Sequence, residues 1–133
     1  MPGKQRIISP HVPEAAPETW SNCIRAGEFL FISGQVARSS VTAGADAADE
    51  YGQAKVAFTK IRHLIEAAGG KMDDVVKMTI YVVDIRKNKE VWRARREFFS
   101  GDFPASTLVE VRSLASPEIL LEIDAVAWLG GGR

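Results

Sequence analysis

The run ILLEIDAVAWL, residues 119–129, constrains the fold more than any other stretch of this chain. Its alternation is that of a strand, whose successive side chains fall on opposite faces. Ile119, Leu121, Ile123, Ala125, Ala127 and Leu129 make one wholly apolar face, which has to pack on the helices of the chain. The other face carries Leu120, Glu122, Asp124, Val126 and Trp128. Contact with water alone would not call for three large apolar groups there. Burial within one chain would leave two carboxylates unpaired, at high cost. A subunit boundary with polar pockets accommodates both facts, so the outer face of this strand is expected to meet other copies of the chain.

The remaining pattern supplies the partners of that strand. Gln5–Ser9 reads as a short first strand, followed by a proline-bearing loop over Pro10–Glu18. In NCIRAGEFLFISG, the residues Ala26-Gly27-Glu28 separate two apolar runs and predict a hairpin. Ala37–Glu50 is small and polar and reads as a surface loop. From about Ala47 to Ala68 the period becomes helical, with Ala54, Phe58, Ile61, Leu64, Ile65 and Ala68 on one stripe and Gly69-Gly70 as its stop. Val75–Asp84 follows as a strand with Val76, Met78, Ile80 and Val82 on its apolar face and Lys77, Thr79 and Tyr81 opposite. A second helix is expected over Arg86–Ser100, with Val91, Ala94 and Phe98 inward, and another strand over Thr107–Arg112. The order is βββαβαββ, an α+β layer with two helices on one face of a sheet. The 133 residues make one domain, 1–133, whose tail at 129–133 is expected to fray.

Composition narrows the function classes. Lys plus Arg equals Asp plus Glu, 17 against 17, which gives no electrostatic pull toward nucleic acid or an anionic membrane. No apolar run is long enough to span a bilayer, and the first residues lack a secretory apolar region. Cys23 is the only cysteine, so a reducing cytoplasm is the expected compartment. His11 and His63 are far apart, and no His/Cys cluster has metal-ligand spacing.

Taken one at a time, the chemistry-bearing residues have bland readings. Ser33-Gly34-Gln35 is a turn at a strand end. Cys23 is a small buried hydrophobe, Arg93, Arg95 and Arg96 a solvated helix face, and His63 a structural residue. Glu110 and Glu122 are candidates for acid–base work because partly buried carboxylates shift their pKa.

Their order is more specific. SGQ, a Gln53-containing helix ending in EAAGG, then DDVVKMTIYVVD, REFF, FPAS and LLEIDAVA resemble the RidA/YjgF family, also called endoribonuclease L-PSP, over about Trp20 to Trp128. The resemblance implies a chorismate mutase-like fold and a homotrimer, with the sheets facing inward and small-molecule clefts between subunits. It also implies cofactor-independent hydrolysis of imines and enamines to ammonia and a keto acid. An arginine grips the substrate carboxylate in that scheme, and a glutamate orients the attacking water. Glu122 matches the glutamate, and Ser33 with Gly34 matches the cleft turn. Three positions depart from the pattern: Ser106 stands at the arginine, Trp92 where asparagine is common, and Trp20 where tyrosine is common.

A serine offers no charged two-pronged donor, so this chain is expected to belong to an arginine-lacking branch with an altered substrate. Of the other arginines, Arg112 would lie roughly 20 Å along the strand from Ser106, whereas Arg38 is on a loop within reach. Three functions compete. The first is a hydrolase in which Glu122 and Thr107 position water and Trp20 and Trp92 line the pocket. The second is a metabolite-binding trimer without chemistry, acting as a sensor or an enzyme partner. The third is a ribonuclease, which the charge balance disfavours.

Overall fold

The structure is a computed structural model and describes residues 3–38 and 48–132. Six strands form one sheet in the order β1-β2-β3-β6-β4-β5: β1 Gln5–Arg6, β2 Cys23–Ala26, β3 Phe29–Gln35, β4 Val75–Val82, β5 Ala105–Glu110 and β6 Leu121–Trp128. Two helices, α1 Glu50–Ala67 and α2 Asn88–Arg95, pack against each other, α1 also contacting β3 and β6. The order βββαβαββ and the α+β class are those of the sequence reading. β4 and β5 pair in parallel across the α2 crossover, and the other pairings are antiparallel.

The core lies where the last strand's parity puts it. Leu121, Ile123, Ala125 and Ala127 are buried against Ala54, Phe58, Ile61, Leu64 and Ile65 of α1, and Ile119 is buried as well. Each large apolar side chain there contributes roughly 2 kcal/mol by leaving water. Asp49 caps α1, its Oδ1 accepting from Gly52 N–H at 2.8 Å. Beyond its C-terminus Gly69 takes φ +87°, while Gly69 and Gly70 N–H return to Glu66 and Ile65 carbonyls. The start expected near Ala47, and most of the loop before it, lie outside the described residues at 39–47.

Two expectations need correction. Val76 is not part of the apolar face of β4, since pairing with β6 shifts register between Val75 and Lys77. That bulge inserts one residue and exchanges the faces upstream of it: Val75 is 5% exposed and Val76 37%. The second helix is shorter than predicted. A 3-10 turn at Ile85–Lys87 precedes α2, and residues 96–98 form a turn, so Phe98 packs on Phe58 from outside the helix with centroids 5.3 Å apart. At the tail, Gly132 N–H donates to Asp74 Oδ1 at 2.8 Å.

The outer sheet face is apolar toward β3 and polar toward β4. Phe29 pairs across from Trp128 and Phe31 from Val126, and Phe31 and Trp128 are 48% and 44% exposed. Further along lie Glu122 opposite Tyr81 and Asp124 opposite Thr79.

Candidate functional site

Glu122 owes its position to a second bulge. β3 pairs regularly with β6 as far as Ile32 and Ala125, and pairing resumes at Gln35 and Ile123. Ser33 and Gly34 therefore oppose the single residue Asp124, and the strand bends there. The bend is held from three sides. Ser33 Oγ donates to Ser21 O at 2.6 Å, Ser33 N–H to Asn22 O at 2.9 Å, and Gln35 Nε2 to Ser33 O at 2.9 Å. The Glu122 side chain lies directly on Gly34. A Cβ at residue 34 would sit 2.1 Å from Glu122 Oε2 and 2.6 Å from its Cδ. Glycine is needed here for the room it leaves.

The start of β6 is anchored from the helix layer. Gln53, buried in α1, donates from Nε2 to Glu118 O at 2.9 Å and accepts the Leu120 N–H at 2.8 Å. One side chain thus fixes the register of the strand two residues before Glu122. Gln53 belongs to the helix motif of the family resemblance, which assigns it no task.

A cavity of about 690 Å³ opens over this corner, lined among others by Trp20, Ser33, Gly34, Arg38, Lys60 and Glu122. Half-burial pushes the Glu122 carboxyl above the usual carboxylate range, and the Asp124 charge pushes the same way; Arg38 opposes them. Tyr81, across the ladder from Glu122, donates from its hydroxyl to Asp124 Oδ2 at 3.2 Å. Burial and Asp124 raise the phenol's pKa, so it stays a donor. The alternation of β4 places Tyr81 on the outer face, but its pairing with Glu122 depends on a strand register that sequence leaves open.

Trp92 and Ser106 lie elsewhere. Ser106 pairs with Met78 and Leu108 with Ile80, so both face the helix side, whereas Thr107 pairs with Thr79 on the outer side. A cleft of about 450 Å³ is lined by Trp92, Arg95, Phe103, Pro104, Ser106 and Leu108. Arg95 Nη1 donates to Ser106 Oγ at 3.1 Å. Thr107 instead accepts from Lys77 Nζ at 3.2 Å. Along the sheet, Ser106 and Glu122 are roughly 14 Å apart, three residues of rise and two strand spacings, and they point to opposite faces. The nominated residues thus form two clusters within one chain: Trp20, Ser33, Gly34 and Glu122 in the first, Trp92 and Ser106 in the second. Thr107 belongs to neither. Arg38 reaches the first cluster, and Arg112 is exposed beyond the end of β5.

Another cavity, of about 620 Å³, runs along α1 between Tyr51 and His63 and contains none of these residues. Among the described residues, no group of three or more His, Cys, Asp or Glu side chains is placed to hold a metal ion. No helix among them is long and apolar enough to cross a membrane.

A two-layer α+β fold with a carboxylate at a strand bulge defines a class, and comparison with known proteins identifies it. The family model described as Endoribonuclease L-PSP matches residues 11–129. A RutC family protein of Pyrococcus horikoshii is 34% identical over 125 residues, covering 94% of this chain and 98% of its own. The 2-iminobutanoate/2-iminopropanoate deaminase of Salmonella typhimurium is 35% identical over 104 residues, 76% of this chain and 80% of that protein. A crystal structure of a protein of unknown function from Pseudomonas aeruginosa superposes with a TM-score of 0.87 at 41% identity, covering 97% of this chain and 94% of the other. The chain belongs to the RidA/YjgF family, the family of the endoribonuclease L-PSP description.

Proposed function

We propose that this protein is a cofactor-independent hydrolase of small imines or enamines, working in the cytoplasm as a homotrimer with its ligand held in clefts between subunits. The observation that carries the reading is the Glu122 carboxyl, laid on Gly34 at a braced bulge, with its proton affinity raised and an open cavity beside it. A base whose pKa is raised toward the working pH transfers protons more effectively. An enamine first tautomerises to its imine. Glu122 takes a proton from water as the oxygen bonds to the imine carbon, and that proton passes to nitrogen. The carbinolamine then collapses to a carbonyl and releases ammonia. Trp20 offers an apolar wall to the planar C=N group, and Ser33 a polar atom on the other side of Gly34. The activity named for the Salmonella relative supports the same reaction type here.

The trimer reading rests on the exposed aromatic stretch of the outer face and on the division of the site. Trp20, Phe31 and Trp128 are 57%, 48% and 44% exposed in the single chain. Within one chain the Glu122 and Ser106 clusters cannot share a small ligand. A neighbouring copy packed on the outer face would bring its own Trp92–Ser106 edge toward Glu122. Replacing the expected arginine with Ser106 then alters which substrates the cleft takes, compared with one that has arginine at this position.

The test is ammonia release, with semicarbazide trapping of residual imine, for a panel of amino-acid-derived imines. Glu122→Gln should lower turnover by about 10³-fold to a small residual rate while leaving the fold intact. Unchanged turnover in Glu122→Gln would end the hydrolytic reading. The serine at position 106 favours a second reading, a trimer that binds a metabolite without chemistry. Ligand-dependent tryptophan fluorescence with no turnover on any imine would select it. The neutral charge balance gives a ribonuclease reading no basic groove to rest on.

A further inference from the structure

Among the described residues Arg95 has no counter-ion. Arg93 pairs with Glu90, Arg86 with Asp84 and Arg25 with Glu28, but no carboxylate among the described residues faces Arg95. Its guanidinium is half-buried in the cleft beside the Trp92 indole and the Phe103 ring, and its hydrogen bond goes to a neutral hydroxyl, Ser106 Oγ, at 3.1 Å. Burial and the neighbouring Arg96 charge both push its pKa down, the opposite of what a paired arginine shows. A desolvated cation with most of its donors unspent is costly to the free protein, and that cost is relieved when an anion arrives.

We infer that Arg95, projecting from α2 and oriented by Ser106, is a carboxylate-binding residue, and that the ligand is a small organic acid with an apolar or aromatic side group. The sites of the charge and of its support have been exchanged relative to the resemblance. The β5 position supplies a hydroxyl acceptor that fixes one arm of the fork, and the helix supplies the fork itself. Arg95 sits one turn of helix from Trp92, so both face the same cleft. The indole and the Phe103 ring leave an apolar slot next to the guanidinium, which selects the side group of the acid. Ser106 is a positioning residue: it holds Nη1 so that the other edge of the guanidinium stays turned to the ligand. The inference deepens the proposed hydrolase, since it restores a carboxylate to the substrate, but it can be tested without turnover.

The test is calorimetric titration with 2-oxobutanoate, a stable keto acid, and with 2-oxobutanamide, which has the same shape without the charge. The natural chain should bind the acid at least about tenfold more tightly than the amide. Arg95→Gln should remove that preference. Arg95→Lys should keep part of it, because an ammonium retains the charge but not the fork, and it decides the matter if Arg95→Gln does not fold. Ser106→Ala should weaken acid binding by a few-fold, and Ser106→Thr should restore it. Arg96→Gln, an exposed neighbour, should bind like the natural chain. Three results would overturn the assignment: no binding of the acid by the natural chain at ~10 mM, equal affinity for acid and amide, or affinity lost in Arg38→Gln but kept in Arg95→Gln. The last would move the anion to the Glu122 cavity. If the acid binds through Arg95 and no imine is turned over, the anchor stands and the hydrolytic reading alone falls.

Discussion

Gly34→Ala is the sharpest perturbation the site allows. Residue 34 is not in the left-handed region, so its backbone accepts alanine. The obstacle is the Glu122 side chain, whose Oε2 would lie 2.1 Å from the new methyl, where ordinary contact starts at 3.4 Å. The carboxylate must therefore retreat by about 1.3 Å, and a misplacement of about 1 Å in a reacting group costs about 10²-fold in rate. That is ~2.7 kcal/mol of transition-state stabilisation. The stability cost is smaller. Forcing Glu122 off its rotamer costs about 0.5–1.5 kcal/mol, and alanine returns about 0.4–1 kcal/mol by restricting the unfolded chain. The variant should fold almost as well as the parent and turn over imine about a hundredfold more slowly. Initial rates of ammonia release and thermal melts measure the two effects separately. The cycle closes with Glu122→Gln, which keeps the shape and removes the base. On that background Gly34→Ala should cost nothing further in rate, while its small effect on the melt persists. Activity within threefold of the parent, or the same hundredfold loss on the glutamine background, would refute the argument that Gly34 serves the Glu122 carboxylate.

The same corner has a defined pH response. In the proposed reaction Glu122 works deprotonated, so the acid limb of the rate profile should follow its raised pKa. Asp124→Asn should move that limb to lower pH and Arg38→Gln to higher pH, as kcat/KM profiles would show. Because folding raises the Glu122 pKa, its stabilising effect is present below the ordinary carboxylate range and lost as pH rises through the folded value. Glu122→Gln should accordingly raise the melting temperature at pH 7. Gln53→Leu leaves Glu118 O and Leu120 N–H without their amide partners and should cost about 2–4 kcal/mol in denaturant unfolding. Burial pushes the Cys23 thiol up to about 11 and leaves it 0% exposed, so native protein at pH 8 should react with iodoacetamide more than about 10²-fold more slowly than free cysteine, and unfolded protein at the ordinary rate.

The fold was legible where periodicity and side-chain volume agree. The parity of residues 119–129 identified the buried face and its two-sided partner, and the stripe on α1 identified what covers it. Bulges were not legible. Val75 and Val76 are both valine, so nothing in their chemistry says which one turns inward. The shift at Val76 comes from pairing with β6, a contact nearly fifty residues away in the chain. The end of α2 escaped for a similar reason. Residues 96–98 continue a helical pattern, yet Phe98 and Phe99 are drawn onto Phe58, at 5.3 and 5.9 Å, by packing that a short window does not contain.

Sequence nominates candidate residues by type and leaves their neighbourhoods open, and Arg95 shows why the distinction has consequences. Read alone, Arg93, Arg95 and Arg96 are three equivalent charges on a helix. In the fold they separate. Arg93 stacks on the Tyr51 ring at 3.5 Å and pairs with Glu90, and Arg96 is exposed. Arg95 turns inward to the β5 hydroxyl. That contact needs the parallel register of β4 and β5, which sets Ser106 beside Met78 on the helix side rather than with Thr107 outside. Under the Arg95 assignment, the missing arginine at position 106 does not leave the cleft without a guanidinium. What a cleft requires is a guanidinium at a point in space, and a neighbouring helix can deliver one as well as the strand can. Charge conservation across such an exchange would keep the chemistry while altering the slot around it, and it predicts that Ser106→Arg, by placing a second cation against Arg95, weakens acid binding rather than improving it.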